Sequence, residues 1–158
     1  IGSVHACDAD PQGAVVTDPD IECPLIGTWK LVGWDIVDPD DPTISPPPWE
    51  HKQGQIMYSA DGYMAVQMSN AERAPFADDN YGATDAERIQ AYNDFIAYCG
   101  RYRWEGDRVI HIVEQSEYPN IIGTEQVRLM TLDGDRLILN NVNRSIPLTW
   151  QRVRSPES

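Results

Sequence analysis

Three residues in this sequence have side chains suited to moving a proton or holding an oxyanion: His111, Tyr98 and Arg128. His111 is the one histidine inside a predicted strand, since His5 precedes the first strand and His51 lies in a predicted loop. An imidazole can take up or release a proton near neutral pH. The Tyr98 hydroxyl can donate to a developing oxyanion, and the Arg128 guanidinium can bind a carboxylate or enolate oxygen. The three residues indicate acid/base catalysis or recognition of a polar group on a small molecule.

The sequence also allows a purely structural role for the same side chains. His111 and Arg128 could instead form a satisfied polar network with Glu125 that fixes the strand register. Other kinds of site find little support, because no glycine-rich phosphate loop, Gly-x-Ser-x-Gly elbow or clustered set of metal ligands occurs in the sequence. Asp133 and Asp135 flank Gly134 and are typical turn residues. We therefore expect no cofactor and no metal.

The elements that must position these side chains are mostly strands. Segments rich in β-branched and aromatic residues predict eight of them. They span residues 25–37, 55–60, 63–69, 97–104, 108–116, 123–132, 136–141, and a last strand from 146 or 148 to 153. Tight turns join three pairs, at Asp61-Gly62, Glu105-Gly106-Asp107 and Asp133-Gly134-Asp135.

One short helix interrupts the series between strands three and four. Thr84 and Glu87 have the spacing of a capping box, and Ile89 and Tyr92 continue at helical spacing, which predicts a helix over 85–96. Eight antiparallel strands in consecutive order close well into a barrel. We therefore predict an all-β, lipocalin-like fold, an eight-stranded antiparallel up-and-down barrel that can hold one small ligand.

The residue types on the strands favour a ligand cavity with aromatic and methionine walls and a few polar groups. Alternatively, the aromatic rings fill the barrel as a solid core. The inward faces of strands 108–116 and 123–132 stay ambiguous from alternation alone. Met57 and Met68 are further wall candidates. We expect these residues to bind the ligand: Trp29, Tyr58, Tyr63, Met64, Gln67, Tyr102, Val109 and Gln126.

Charge and hydropathy restrict the partners. The net charge is −13, and residues 1–50 hold ten Asp or Glu but a single lysine, Lys30. Such a surface repels phosphate backbones, so we expect no nucleic-acid partner, and the charge favours solubility. No apolar run is long enough for a transmembrane helix, so membrane insertion is not expected. The expected partner is a small apolar molecule, bound by a monomer or a homodimer.

The chain divides into an acidic N-terminal arm, residues 1–23, and a barrel domain, residues 24–158. A disulfide between Cys7 and Cys23 would staple the arm and would favour a secreted or periplasmic location; without it the cytoplasm is expected. Cys99 is expected to be a buried thiol. The start at Ile1 fits either a cleaved leader or a cloning remnant.

A family resemblance begins at Gly27-Thr28-Trp29, a Gly-x-Trp on the first predicted strand. Further matching segments lie at 62–64, 97–102, 109–111, 119–128, 134–137 and 148–152. Over residues 24–153 the chain resembles the lipocalin-like domain family of bacteria and fungi more closely than the odorant- and retinol-carrying lipocalins. It departs from that pattern in the arm and in the proline-rich loop at 38–52, which would lengthen the barrel rim or act as a lid.

The resemblance implies either a carrier or a cofactor-free enzyme acting on apolar small molecules. The first hypothesis is a barrel that carries or sequesters a small, largely apolar molecule with one polar end. The alternative is a cofactor-independent isomerase, cyclase or lyase with His111 as general acid/base. Fold alone does not separate the two.

Overall fold

A computed structural model of the chain describes residues 22–78 and 82–156, together with the backbones of two short strands. These are β1 (Asp8–Ala9) and β2 (Val15–Val16), which pair antiparallel within the predicted arm. The sequence reading did not predict them. β1 lies against one wall of the main sheet.

The main sheet is a closed eight-stranded barrel in which every strand pairs antiparallel with its chain neighbour and the last pairs with the first. The predicted up-and-down barrel is confirmed. Its strands are β3 (Gly27–Trp34), β4 (Lys52–Tyr58), β5 (Tyr63–Asn70), β6 (Phe95–Trp104), β7 (Arg108–Ser116), β8 (Glu125–Asp133), β9 (Arg136–Asn140) and β10 (Leu148–Arg152).

The predicted helix is present between β5 and β6 as α1 (Asp85–Asn93). The Glu87 backbone N–H donates to Thr84 Oγ1 at 3.2 Å, and the Thr84 N–H donates to Glu87 Oε2 at 2.7 Å, which completes the capping box. α1 ends three residues before the predicted boundary because β6 already begins at Phe95. A short 3₁₀ helix, Pro119–Ile121, precedes β8.

The two ends of the barrel differ in their connections. At one end, here called the hairpin end, tight turns join β4 to β5, β6 to β7 and β8 to β9. Gly62 and Gly134 adopt positive φ there, 87° and 58°, as the predicted turns require. At the other end, here called the cavity end, lie the long connections 35–51, 71–94, 117–124 and 141–147.

The hairpin end is filled and sealed. Trp29 is fully buried and donates from Nε1 to the Leu25 carbonyl at 2.9 Å. The Arg152 guanidinium lies 4.2 Å from the Trp29 ring centroid and donates to the carbonyls of Ile26 (2.8 Å) and Pro24 (2.6 Å). Because this end is packed solid, space for a ligand is confined to the other half of the barrel.

Candidate functional site

A cavity of about 400 Å³ occupies the cavity end of the barrel. Inward-facing side chains form its wall, and the long connections form its rim. The rim includes Pro46 and Pro47 from the proline-rich loop and Ile121 from the 3₁₀ helix. Much of the wall is apolar: Trp34, Ile56, Val66, Met68, Ile96, Leu139, Ile146, Leu148 and Trp150. The size and lining are typical of a site for one small apolar molecule.

His111 lies in this cavity's wall, 1% exposed, with both ring nitrogens hydrogen-bonded. Nε2 is 2.8 Å from the Tyr58 hydroxyl, and Nδ1 is 2.8 Å from the Tyr98 hydroxyl. Burial, helped by the Arg128 charge, lowers the pKa of His111 to about 3. Burial also raises the pKa of the Tyr58 and Tyr98 phenols. At neutral pH Tyr58, His111 and Tyr98 therefore form a chain of an uncharged imidazole between two protonated phenols.

The proton on the ring is assigned by the hydrogen-bond partners of the two tyrosines. Tyr58 is 2% exposed and its hydroxyl meets His111 Nε2, so its O–H needs that nitrogen as an acceptor. Nε2 is then unprotonated, and Nδ1–H donates to the Tyr98 oxygen. In this arrangement the Tyr98 oxygen accepts, and its own O–H is available toward the cavity that Tyr98 lines.

Arg128 is the cation of the cavity wall. It is half-buried, and one of its terminal nitrogens, Nη1, donates to the Val127 carbonyl at 3.1 Å. The Arg128 charge also acts on Tyr98 and opposes the burial that raises the pKa of that phenol. Within residues 22–78 and 82–156, no carboxylate forms an ion pair with Arg128. No carboxylate of these residues therefore neutralises its positive charge.

Comparison with known proteins agrees with this architecture. The family model of the lipocalin-like domain matches residues 26–154. The chain belongs to the lipocalin-like domain family. A curated relative, the 4'-hydroxy-3'-methoxypropiophenone carrier protein of Aspergillus oryzae, is 34% identical over 86 residues, which cover 44% of this chain and 78% of the relative.

Solved structures similar to this lipocalin-like chain include two variants of the fluorescent protein UnaG. Each is 10% identical to it, with TM-scores of 0.35 and 0.33. The first alignment covers 82% of this chain and 96% of the UnaG variant, and the second covers 81% and 95%.

Four of the site residues proposed from sequence meet in the cavity of this lipocalin-like barrel: His111, Tyr98, Arg128 and Gln126. Tyr58 supports the site from behind through its bond to His111. The inward faces that alternation left ambiguous are settled, since β7 directs His111 inward and β8 directs Gln126 and Arg128 inward. Glu125 is exposed and its carboxylate pairs with Arg103 at 3.5 Å, so the alternative network of His111, Arg128 and Glu125 does not form.

Other proposed residues lie away from the cavity lining. Tyr63 is 46% exposed and Gln67 is exposed, because adjacent residues of a strand face opposite sides and β5 turns Met64, Val66 and Met68 inward. A further group faces inward but is buried in the core nearer the hairpin end: Trp29, Met64, Tyr102 and Val109. The alternation of residue types along a strand shows which side chains share a face, but not how far along the barrel axis they lie.

The sequence reading missed parts of the cavity wall. The sequence did not suggest Trp150 or Trp34, nor the rim residues Glu117, Tyr118 and Ile121, although Trp150 lies in a segment that carried the family resemblance. The alternation of side chains along β10 could have indicated that Trp150 faces inward. The proline-rich loop was expected to lengthen the rim or act as a lid; its residues Pro46 and Pro47 line the cavity.

Metal binding, membrane crossing and the cysteines were the remaining expectations from sequence. In the part of the chain that the structure describes, no His, Cys, Asp and Glu group could hold a metal ion. No helix there is long and apolar enough to cross a membrane. Cys23 is buried and forms no disulfide with another described residue; its expected partner Cys7 lies outside the described residues, so the disulfide stays a prediction. Cys99 is partly buried and free.

Proposed function

We propose that this protein is a carrier that binds a small, largely apolar molecule with a polar end inside the barrel. The observation that carries the proposal is the 400 Å³ cavity with apolar walls and a polar cluster of Tyr98, His111 and Arg128. Apolar walls supply affinity through burial, and a few polar groups fix the orientation of the ligand. The relationship to a curated carrier of a substituted propiophenone supports the same kind of role.

The state of His111 favours carriage over catalysis. A general base works best with a pKa near the working pH, whereas burial holds the pKa of His111 at about 3. Both ring nitrogens are also bonded to tyrosine hydroxyls, so neither is free to take a proton from a substrate. The alternative of an isomerase, cyclase or lyase that uses His111 as its acid/base therefore lacks a free, basic nitrogen in this arrangement.

The proposal is tested by native mass spectrometry of freshly purified protein and by calorimetric titration with 4'-hydroxy-3'-methoxypropiophenone. We expect one molecule bound per barrel and recovered chemically unchanged on extraction. Ile121→Trp, which fills the cavity rim, should weaken binding by about tenfold or more. Ile122→Trp is the matched control, because Ile122 is 48% exposed and does not line the cavity.

Two results would contradict a carrier. Equal weakening by the two tryptophan substitutions would place the ligand outside the cavity. Recovery of a chemically altered probe, with the change lost in His111→Ala, would support the enzymatic alternative instead.

A further inference from the structure

Two groups of the cavity wall can donate hydrogen bonds to a bound molecule, the Tyr98 hydroxyl and the Arg128 guanidinium. The Tyr98 oxygen accepts from His111 Nδ1, which leaves its O–H to donate. The Arg128 guanidinium has no carboxylate partner among the described residues. A guanidinium and a phenol O–H side by side in a cavity wall match an oxyanion, because both donate and one carries a positive charge.

A third donor lies elsewhere on the wall. Trp150 is 1% exposed and lines the cavity, and its Nε1–H has no hydrogen-bond partner. Buried polar groups are nearly always paired, and an indole nitrogen can only donate. The two other buried indoles among the described residues, Trp29 and Trp49, donate to the carbonyls of Leu25 and Asn93. The unpaired Trp150 donor therefore calls for an acceptor that a molecule in the cavity would supply.

The acidic group at the rim does not provide that acceptor. Glu117 lines the cavity, but its Oε2 accepts from the Ala97 backbone N–H at 3.1 Å and from the Ser116 hydroxyl at 3.0 Å. The Glu117 carboxylate therefore holds the end of β7 against β6, and the Arg128 charge and the Trp150 N–H are left for the ligand.

We propose that the ligand is an organic oxyanion with a second acceptor oxygen, its ionised oxygen bound by Arg128 and the Tyr98 hydroxyl and its second oxygen bound by Trp150 Nε1–H. This inference rests on the proposed carrier function and narrows its ligand class to molecules such as keto acids or acidic enols on an apolar body. His111 acts as a positioning residue, since its Nδ1–H fixes the Tyr98 oxygen so that the Tyr98 O–H points to the ligand.

Three probes that differ by one group each test this class: benzoylpropionate, which has a ketone and a carboxylate; its methyl ester, which lacks the charge; and phenylbutyrate, which lacks the ketone. Dissociation constants are measured by calorimetry on the full chain. We expect wild-type protein to bind benzoylpropionate about tenfold or more tightly than the ester, and about threefold or more tightly than phenylbutyrate.

Two variants assign those preferences to residues. Arg128→Gln should abolish the preference for acid over ester, while Arg136→Gln, which removes an equal charge from an exposed site on β9, should keep it. Trp150→Phe should abolish the preference for benzoylpropionate over phenylbutyrate and leave the affinity for phenylbutyrate within about twofold.

The outcomes separate the two proposals. If the wild-type protein binds acid and ester equally well, the oxyanion assignment is wrong while the carrier proposal stands. If benzoylpropionate and phenylbutyrate bind equally well, the role of Trp150 is wrong. If the wild-type protein binds none of the three probes and carries no extractable molecule, the carrier function itself fails. The wild-type comparisons decide the ligand class even if a variant does not fold.

Discussion

At the scale of single residues, the site depends on keeping an imidazole uncharged. His111 has a phenol oxygen at each ring nitrogen and the Arg128 charge near it, so a second proton on the ring would find no anionic partner. The low dielectric of the barrel interior makes that proton still less favourable. The neutral ring instead accepts a hydrogen bond from the Tyr58 hydroxyl and donates one to the Tyr98 oxygen.

This arrangement predicts a specific acid sensitivity. The pKa of His111 is about 3 in the folded protein, against an ordinary value of 6.5. The unfolded chain therefore takes up a proton below about pH 6.5 that the folded chain does not. Above pH 6.5 the ring is neutral in both states, so His111 does not make the free energy of unfolding depend on pH. Below pH 6.5 that free energy should fall by roughly 1.4 kcal/mol per pH unit as the pH drops toward 3.

Urea unfolding of the wild type and of His111→Gln between pH 7 and pH 4 checks this slope. The difference in unfolding free energy between the two proteins should shrink steadily as the pH falls, because the variant has no ring to protonate. His51→Gln removes an exposed histidine of the 35–51 connection and controls for loss of any imidazole. If the plots of unfolding free energy against pH run parallel for wild type and His111→Gln, His111 is not the source of the acid sensitivity.

The residue scale also shows how much of the site the sequence could predict. His111 was found because it is the one histidine on a strand, and Tyr98 and Arg128 because their types suit a polar end. Tyr63 and Gln67 were misplaced because alternation gives two faces without saying which is inward. The unpaired donor on Trp150 depends on distances between strands, which no sequence pattern encodes.

At the scale of elements, the pairing of β6 with β7 contains a bulge next to Tyr98. The register shifts between Cys99 and Gly100, where Glu114 of β7 is an extra residue between Val113 and Gln115 that has no partner on β6. A Cβ at Gly100 would collide with the Ile112 carbonyl oxygen and lie 2.9 Å from the Glu114 nitrogen. Both are backbone atoms of β7 and cannot rotate away.

Gly100→Ala should therefore destabilise the barrel by about 3 kcal/mol or more. Gly33→Ala in β3 is the matched control, since its Cβ would meet nothing within 4 Å, and it should change stability by less than about 1 kcal/mol. Thermal and urea unfolding measure both. A Gly100→Ala protein as stable as Gly33→Ala would mean that the strands separate at the bulge at little cost.

The elements themselves were largely predictable, and the misses have local causes. β7 runs from Arg108 to Ser116 as expected, because a turn signal at Gly106 precedes it and its sequence is rich in β-branched residues. β4 begins at Lys52, earlier than expected, because Lys52 to Gly54 carry no apolar alternation and are held by backbone pairing to β5. The pairing of β1 with β2 has no periodic signal either.

At the scale of the whole molecule, stability and binding are assigned to opposite ends. The hairpin end holds the packed residues around Trp29, while the cavity end leaves space for a ligand. Arg152 joins the first and last barrel strands to the segment before β3, through the carbonyls of Pro24 and Ile26 and the face of Trp29. Changes at the hairpin end should therefore alter stability without altering affinity.

Arg152→Lys tests this separation, because lysine keeps the charge but cannot donate as a fork to two carbonyls while stacking on an indole. We expect a loss of roughly 2–3 kcal/mol in unfolding free energy and a dissociation constant for benzoylpropionate within about twofold of wild type. Arg154→Lys is the matched control: Arg154 pairs with Asp135, as Arg152 does, but is exposed, so we expect this substitution to change the unfolding free energy little. If both substitutions lower the unfolding free energy equally, Arg152 has no special role in closing the hairpin end. If Arg152→Lys weakens ligand binding, the two ends of the barrel are coupled.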